Sequence, residues 1–235
     1  MSADAEERAK RLVGYRAVDD YVRPGACIGL GTGSTARYAI ERAGELVRDG
    51  MDLRVVATSR QTEAMCRERN IRLVAFGDEP IDVAIDGADE VAADWSLIKG
   101  GGGALFREKA VALAARAFIV IVTARKVVPL LGAFPLPVEV VPYSARYVAR
   151  EIAALGAQVS PRVCGDELYA TDNGNAILDC AFGTIENPAE LEAILRGFHG
   201  VVASGLFIGL TSAVLVANDD GTVEALKAPL ATPRA

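Results

Sequence analysis

The stretch ACIGLGTGSTA, residues 26–36, decides the fold. It begins as a short apolar run, continues through glycines and ends in hydroxyl residues that open a helical pattern reaching about Arg48. An apolar strand without polar alternation is typical of burial on both faces, as in a parallel sheet covered by helices. The same order of apolar run and helical pattern recurs through the first half of the chain, which predicts an α/β fold.

This alternation predicts a Rossmann-like parallel sheet with helices on both faces. The final apolar run, SAVLVAND at 212–219, is assigned to the same sheet. The predicted helices cover about 34–48, 61–69 and a segment that ends near Arg116. The other predicted strands lie at 26–31, 53–59, 73–76, 82–86, 96–100 and 117–123.

The pattern changes at FPLPVEVVP, residues 134–142, where three prolines interrupt the chain. The following segments run strand, helix, strand, strand, helix, strand, the βαββαβ order of an α+β ferredoxin-like unit. We therefore predict a Rossmann-like catalytic domain formed by residues 1–131 and 208–235, with residues 132–207 inserted as a smaller lid or interface domain. The last residues, APLATPRA at 228–235, are predicted to be a disordered tail.

Composition excludes several classes of function. The 235 residues are 51% apolar and 24% charged, as in an ordinary globular protein, and a net charge of −6 argues against a nucleic-acid partner. The charged N-terminus and the lack of a long apolar run predict a cytoplasmic protein with no membrane span. The single histidine, His199, excludes zinc sites built from several histidines and is predicted to lie at the surface. Four cysteines without a CxxC pair predict reduced thiols, with Cys27 and Cys180 in buried strands.

The first candidate motif is GLGTGSTA, residues 29–36, at a strand-to-helix turn. The helix N-terminus offers backbone N–H groups to an anion, and Thr32, Ser34 and Thr35 add hydroxyls. GTGSTA also fits the dinucleotide fingerprint G-x-G-x-x-A, but the second strand ends in TSR at 58–60, where that fingerprint expects an acidic residue. A phosphate cradle is therefore favoured, with a dinucleotide site and a plain tight turn as alternatives.

The second motif is DGADEV, residues 86–91, directly after an apolar strand. Asp86, Asp89 and Glu90 are thus predicted at the carboxyl end of a strand, where open α/β sheets bind their ligands. Such carboxylates can bind Mg²⁺, accept hydrogen bonds from sugar hydroxyls or act as acid and base; a solvated acidic loop is the remaining alternative.

The third motif is IKGGGGALFREKA, residues 98–110. We expect Lys99 to end a strand at the same sheet edge, and four glycines would let the following backbone approach a ligand closely. Glu108 would lie on the helix beyond, where by itself a solvated surface glutamate is the simpler interpretation. Together the three turns supply a cradle, carboxylates, a lysine and a base, and this set is sufficient for a chemistry that needs no metal, histidine or cofactor.

The ordered motifs GTGSTA, DGADEV, IKGGGGALFREK and FPLPVEVVP resemble the ribose-5-phosphate isomerase family of type A, and TDNGNAILD and GVVASGLF add to the match. The resemblance implies interconversion of D-ribose 5-phosphate and D-ribulose 5-phosphate through an enediolate, a step of the pentose phosphate pathway that uses no metal and no cofactor. It also implies a homodimer or a homotetramer. The alternatives are an amino-sugar phosphate isomerase/deaminase, which typically enlists a histidine, and a non-catalytic sugar-phosphate sensor.

By position, Glu108 matches the proton-transfer base of that family. We assign Lys99 to stabilising the enediolate and Asp86 or Asp89 to ring opening. The resemblance implies that the substrate-binding residues are Thr32, Gly33, Ser34, Thr35, Asp86, Gly87, Ala88, Asp89, Lys99, Gly100, Gly101, Gly102 and Lys126.

Overall fold

The computed structural model describes residues 3–226, and the predicted tail at 228–235 lies outside them. The helices of the described range are α1 (Ala3–Tyr21), α2 (Ala36–Arg48), α3 (Arg60–Glu68), α4 (Leu105–Ala114), α5 (Ala145–Ala154) and α6 (Pro188–Gly197). Its strands are β1 (Cys27–Leu30), β2 (Arg54–Ala57), β3 (Arg72–Leu73), β4 (Ile81–Asp86), β5 (Glu90–Val91), β6 (Leu97–Ile98), β7 (Ala115–Thr123), β8 (Leu136–Val140), β9 (Gln158–Pro161), β10 (Val163–Cys164), β11 (Glu167–Leu168), β12 (Ala176–Ala181), β13 (Val201–Ser204), β14 (Leu206–Phe207), β15 (Ala213–Ala217) and β16 (Val223–Ala225).

The described residues form two compact units. The first unit takes the residues up to Ala88, Arg107–Val127 and those from Leu210 onward. The second unit takes Asp89–Phe106 and Val128–Gly209.

The first unit is built on a seven-stranded sheet in the order β16-β15-β7-β4-β1-β2-β3. All neighbours pair in parallel except β16, which is antiparallel to β15 at the edge. The predicted Rossmann-like sheet is therefore confirmed, and the run at 212–219 returns to it as β15. The strand order reverses direction between β1 and β4, and a doubly wound sheet binds its ligand at such a switch point.

Both faces of this sheet are covered, because successive side chains of a strand point to opposite sides. Ile28 and Leu30 of β1 and Ile85 of β4 join a core with α1, α2 and α3. Gly29 points to the other face, where a Cβ would lie only 2.3 Å from Val111 of α4. Glycine at 29 thus lets α4 pack directly on the strand.

The second unit contains an antiparallel sheet in the order β13-β8-β12-β9, with α5 and α6 packed on one face. The predicted βαββαβ order is present, with a small β10–β11 hairpin added between the second and third of these strands. Leu136, Val138 and Val140 of β8 point into the core that includes Val148 of α5 and Leu195 of α6.

The prediction that residues 96–100 form a strand of the large sheet is wrong. Leu97 and Ile98 form the two-residue strand β6, which pairs antiparallel with β5 and β14 in a separate three-stranded sheet. This pairing groups residues 89–106 with the second unit, whereas the sequence-based boundaries start the inserted domain at 132. A buried two-residue apolar run carries no information about which sheet it joins.

Candidate active site

The turn after β1 carries the first predicted site residues, and Thr32 lies in a cluster of hydroxyls. Its Oγ1 lies 2.9 Å from the Thr58 hydroxyl, 2.8 Å from that of Ser59 and 3.2 Å from that of Thr62. Ser59 also caps α3 by accepting the Thr62 N–H at 3.0 Å. The residues TSR that replace the acidic end of a dinucleotide fingerprint thus supply hydroxyls that hold Thr32. These partners were not predicted, although their hydroxyl-rich stretch was visible in the sequence.

The rest of this turn leads into the N-terminus of α2 at the switch point of the sheet. Gly33 has φ +116° and is exposed, as is Ser34. Thr35 precedes α2 and makes no side-chain capping hydrogen bond. The Arg37 N–H donates to the Gly33 carbonyl and the Tyr38 N–H to the Thr35 carbonyl, both at 3.1 Å. An anion at this helix N-terminus would therefore be bound by the N–H groups nearer the start of the turn.

The turn after β4 places Asp86 beside the turn after β1. Asp86 is only 3% exposed, and its Oδ1 accepts the Gly87 N–H at 2.7 Å. A Cβ on Gly31 would lie 1.9 Å from both Cγ and Oδ1 of Asp86. Gly31 therefore leaves the space that the carboxyl group occupies, and no motif in the sequence predicts this role. Gly87 and Ala88 follow, half-buried.

Two further predicted residues belong to the first unit. Glu108 lies in the first turn of α4 and is only 4% exposed, so the interpretation of a solvated surface glutamate is wrong. A carboxylate in the first turn of a helix is stabilised by the helix dipole. Lys126 lies half-buried in the short 3₁₀ helix that follows β7.

The second unit holds Asp89, Lys99 and the glycine run. The Asp89 Oδ2 accepts the Gly101 N–H at 2.8 Å, and the Asp89 backbone N–H donates to the Ile98 carbonyl at 2.8 Å. Lys99 is 2% exposed, and its Nζ lies 5.4 Å from the centre of the Phe207 ring, a cation–π distance. Gly100 is buried with φ +103°, while Gly101 and Gly102 are exposed.

Glu90, the third carboxylate of DGADEV, has a structural role. It is 4% exposed, and its two oxygens accept the N–H groups of Gly132 and Phe134, both at 2.6 Å. These bonds anchor the segment that leads into β8. The Glu90 carboxylate is thus hydrogen-bonded to backbone donors of the second unit.

The remaining predictions concern residues outside these turns. His199 is exposed, as predicted, and Cys27 and Cys180 are buried in strands. All four thiols are free. Within residues 3–226, no group of three or more His, Cys, Asp or Glu side chains is arranged to hold a metal ion. In the same range, no helix combines the length and apolar character that a membrane crossing demands.

Comparison with known proteins gives one consistent result. Residues 54–221 match the family model described as ribose 5-phosphate isomerase A (phosphoriboisomerase A). The chain is 46% identical to ribose-5-phosphate isomerase A of Natronomonas pharaonis over 217 residues, which cover 92% of this chain and 95% of that protein.

Solved structures agree with this match. The structure of ribose 5-phosphate isomerase A from Methanocaldococcus jannaschii is similar with a TM-score of 0.89 at 37% identity, covering 94% of this chain and 99% of that one. A D-ribose-5-phosphate isomerase structure in complex with phospho-erythronic acid is similar with a TM-score of 0.91 at 35% identity, covering 97% of this chain and 100% of that one.

Proposed function

The chain belongs to the ribose 5-phosphate isomerase A family, and we propose that it interconverts D-ribose 5-phosphate and D-ribulose 5-phosphate with Glu108 as the proton-transfer group. The observation that carries this mechanism is the position of Glu108. Glu108 is 4% exposed and lies on a helix rather than on a loop. A general base needs such a fixed position, because it must lie within hydrogen-bond distance of the proton that it removes from the reacting carbon.

The reaction moves a proton between two carbons of the open-chain sugar phosphate. The base takes the proton from C2, and the electrons of that bond form the C1–C2 double bond of an enediolate. The same proton returns to C1, while the C2 hydroxyl loses its proton and the C1 oxygen gains one. C2 is then the carbonyl of the ketose. One carboxylate performs both carbon transfers if it reaches C1 and C2, and a positioned base contributes roughly 10²–10⁴-fold to the rate.

A cation can stabilise the negative charge that develops on the enediolate oxygens, and we assign Lys99 to this role. Lys99 is 2% exposed, so a positive charge on its side chain is little screened by water and attracts a developing oxyanion more strongly than it would at a surface. Asp86 and Asp89 are assigned to the sugar hydroxyls and to ring opening. Each carboxylate is oriented by a backbone N–H, that of Gly87 or Gly101.

We assign substrate binding to the remaining predicted residues. The turn formed by residues 32–35 and the N-terminus of α2 suit an anion such as a phosphate, because backbone N–H groups point outward there. Because the Thr32 hydroxyl lies in a hydroxyl cluster, the backbone of this turn and the hydroxyls of Ser34 and Thr35 are the better donors. Lys126 adds a positive charge on the first unit. The complex of a similar isomerase with phospho-erythronic acid supports a phosphorylated ligand.

The test is conversion of ribose 5-phosphate to ribulose 5-phosphate in excess EDTA by wild type, Glu108→Gln and Glu90→Gln. We expect wild type to be active and Glu108→Gln to lose roughly 10²–10⁴-fold in kcat while it still binds substrate by calorimetry. Glu90→Gln is the matched control, since Glu90 is equally buried but holds backbone groups. It should lower stability and leave kcat close to that of wild type.

Three outcomes would contradict the proposal. If Glu108→Gln keeps the kcat of wild type, another group transfers the proton. If wild type binds ribose 5-phosphate without converting it, the chain is a sugar-phosphate sensor. If EDTA abolishes the activity, a metal takes part and the roles given to the carboxylates change.

We also propose that the chain forms a homodimer or a homotetramer and acts in the cytoplasm on its small-molecule substrate. Family membership supports both statements. Sedimentation equilibrium of the purified protein measures the first, and a single monomeric species would contradict it.

A further inference from the structure

We propose that Arg162 is a positioning residue for this isomerase, because it fixes the peptide that follows Lys99. The inference rests on the proposed function. Arg162 lies between β9 and β10 of the second unit, far from the glycine run in sequence. Its side chain is nevertheless 13% exposed and makes direct contact with that run.

The contact holds the peptide between Gly100 and Gly101 at both ends. Nη1 of Arg162 donates to the Gly100 carbonyl at 2.8 Å and to the Gly101 carbonyl at 3.2 Å. The N–H of Gly101 donates to Asp89 at 2.8 Å. Because a peptide is planar, bonds to its C=O and to its N–H together fix the orientation of the plane.

The same hydrogen bonds determine the direction of the next backbone donor, the N–H of Gly102. In a trans peptide, the C=O and the following N–H point in opposite directions. With the Gly101 carbonyl turned toward Arg162, the Gly102 N–H points away from Arg162, on an exposed part of the run. Arg162 thereby orients the backbone donor of a residue that we assign to substrate binding, and it does so without touching substrate.

Arg162 is itself held in place. Its Nε and Nη2 donate to the two carboxyl oxygens of Asp179 at 2.9 and 2.5 Å, a bidentate pair on β12. The guanidinium carbon lies 5.9 Å from the centre of the Tyr169 ring. Only an arginine offers a planar fork for a carboxylate and a third nitrogen for the carbonyls at once, so lysine is a poor substitute.

Three of the four glycines are needed for the run to adopt this conformation. A Cβ on Gly101 would lie 2.7 Å from Oδ1 of Asp89, and a Cβ on Gly103 would lie 2.1 Å from the Tyr169 hydroxyl oxygen. Gly100 and Gly103 also have φ of +103° and +80°, which glycine adopts without strain. The run is therefore shaped by the protein groups around it, with Arg162 among them.

The test compares Arg162→Gly, Arg162→Lys and the control Arg150→Met, which changes an exposed arginine of α5. We expect kcat to fall about 100-fold in Arg162→Gly, the cost of a misplacement near 1 Å, with a smaller change in KM. Arg162→Lys should be intermediate or equally impaired. Added guanidinium at millimolar concentration should restore part of the kcat of Arg162→Gly only. Amide exchange of Gly101, followed by NMR, should be faster in Arg162→Gly than in wild type.

Two results would overturn the inference while the proposed function stands. One is a kcat in both Arg162 variants equal to that of Arg150→Met. The other is a loss of activity that follows the loss of folded protein, with no rescue by guanidinium and no selective change at Gly101. If wild type itself does not isomerise ribose 5-phosphate, the proposed function fails and the role of Arg162 fails with it.

Discussion

Replacing Gly31 with alanine should disable the enzyme by displacing Asp86. The added Cβ would lie 1.9 Å from Cγ and Oδ1 of the carboxyl group. Non-bonded heavy atoms are in favourable contact at about 3.5–4.0 Å, so the carboxyl must retreat by roughly 1.5 Å. The backbone cannot easily move instead, because the Gly31 N–H donates to the Ile85 carbonyl at 3.0 Å between two central strands.

The magnitude follows from the burial of Asp86. Because Asp86 is only 3% exposed, its carboxyl group has little solvent to move into, and a shift breaks its 2.7 Å hydrogen bond with the Gly87 N–H. Overpacking of this kind lowers the free energy of unfolding by about 1–3 kcal/mol. Since a misplacement of about 1 Å can cost on the order of 100-fold in rate, we expect kcat/KM to fall by at least that factor.

The assay is steady-state conversion of ribose 5-phosphate, with urea unfolding measured on the same samples. Gly14→Ala is the matched control, because its Cβ would lie 2.7 Å from the Tyr38 Cβ, between α1 and α2. This variant should lose stability, partly offset by the better helix propensity of alanine, and keep the kcat of wild type. If Gly31→Ala loses no more activity than Gly14→Ala does, either Asp86 accommodates the methyl group or Asp86 has no role in turnover.

Two further predictions concern the pH dependence of stability and the reactivity of thiols. A hydrogen bond from the Tyr38 hydroxyl, assisted by Lys10, lowers the pKa of Glu7 from 4.5 to about 2. Ionised Glu7 therefore stabilises the folded protein above pH 4.5, and this stabilisation is lost as the pH falls toward 2. Because the Glu7 side chain is 41% exposed, Glu7→Gln should lower the free energy of unfolding by only about 0.5–1 kcal/mol, measured by urea unfolding at pH 7. A difference between wild type and Glu7→Gln that persists undiminished at pH 3 would contradict the assignment. Burial raises the pKa of the Cys66 and Cys180 thiols to about 12, and Cys27 is buried as well, so a thiol-specific disulfide reagent should label only Cys164 in the folded protein and all four cysteines after denaturation. Labelling of more than one thiol without denaturant would show that a buried strand opens.

Features set by local periodicity were predictable from the sequence. The segment at 117–123 is a nearly continuous apolar run and that at 82–86 has an apolar centre, and they form β7 and β4 of the parallel sheet. The βαββαβ order of the second unit follows from the spacing of apolar runs, prolines and helical patterns. In both cases the pattern reflects the burial of each segment, which depends on the segment's own side chains.

Features that depend on contacts distant in sequence were not predictable. The sequence around Glu108, FREKA, suggests an exposed helix turn, yet the carboxyl is buried. The DGADEV motif predicts that Glu90 lies with the two site aspartates, but its partners are the N–H groups of Gly132 and Phe134, more than 40 residues away. A single sequence gives the type and order of such residues and does not show which backbone donors meet them.

Glycines of the motifs GLGTG and KGGGG pack against the two site aspartates in the same way. Asp86 and Asp89 each accept a backbone N–H from a glycine, and each has a glycine at a distance where a Cβ would collide with the carboxyl group. For Asp86 these are Gly87 and Gly31, and for Asp89 Gly101 serves both purposes. A backbone donor helps to hold each carboxylate in place, and glycine at 31 and 101 leaves room for the carboxyl groups, because a Cβ at either position would collide with them. Gly31 of GLGTG and Gly101 of KGGGG are thus required independently of any ligand, because they permit the close packing around the two aspartates.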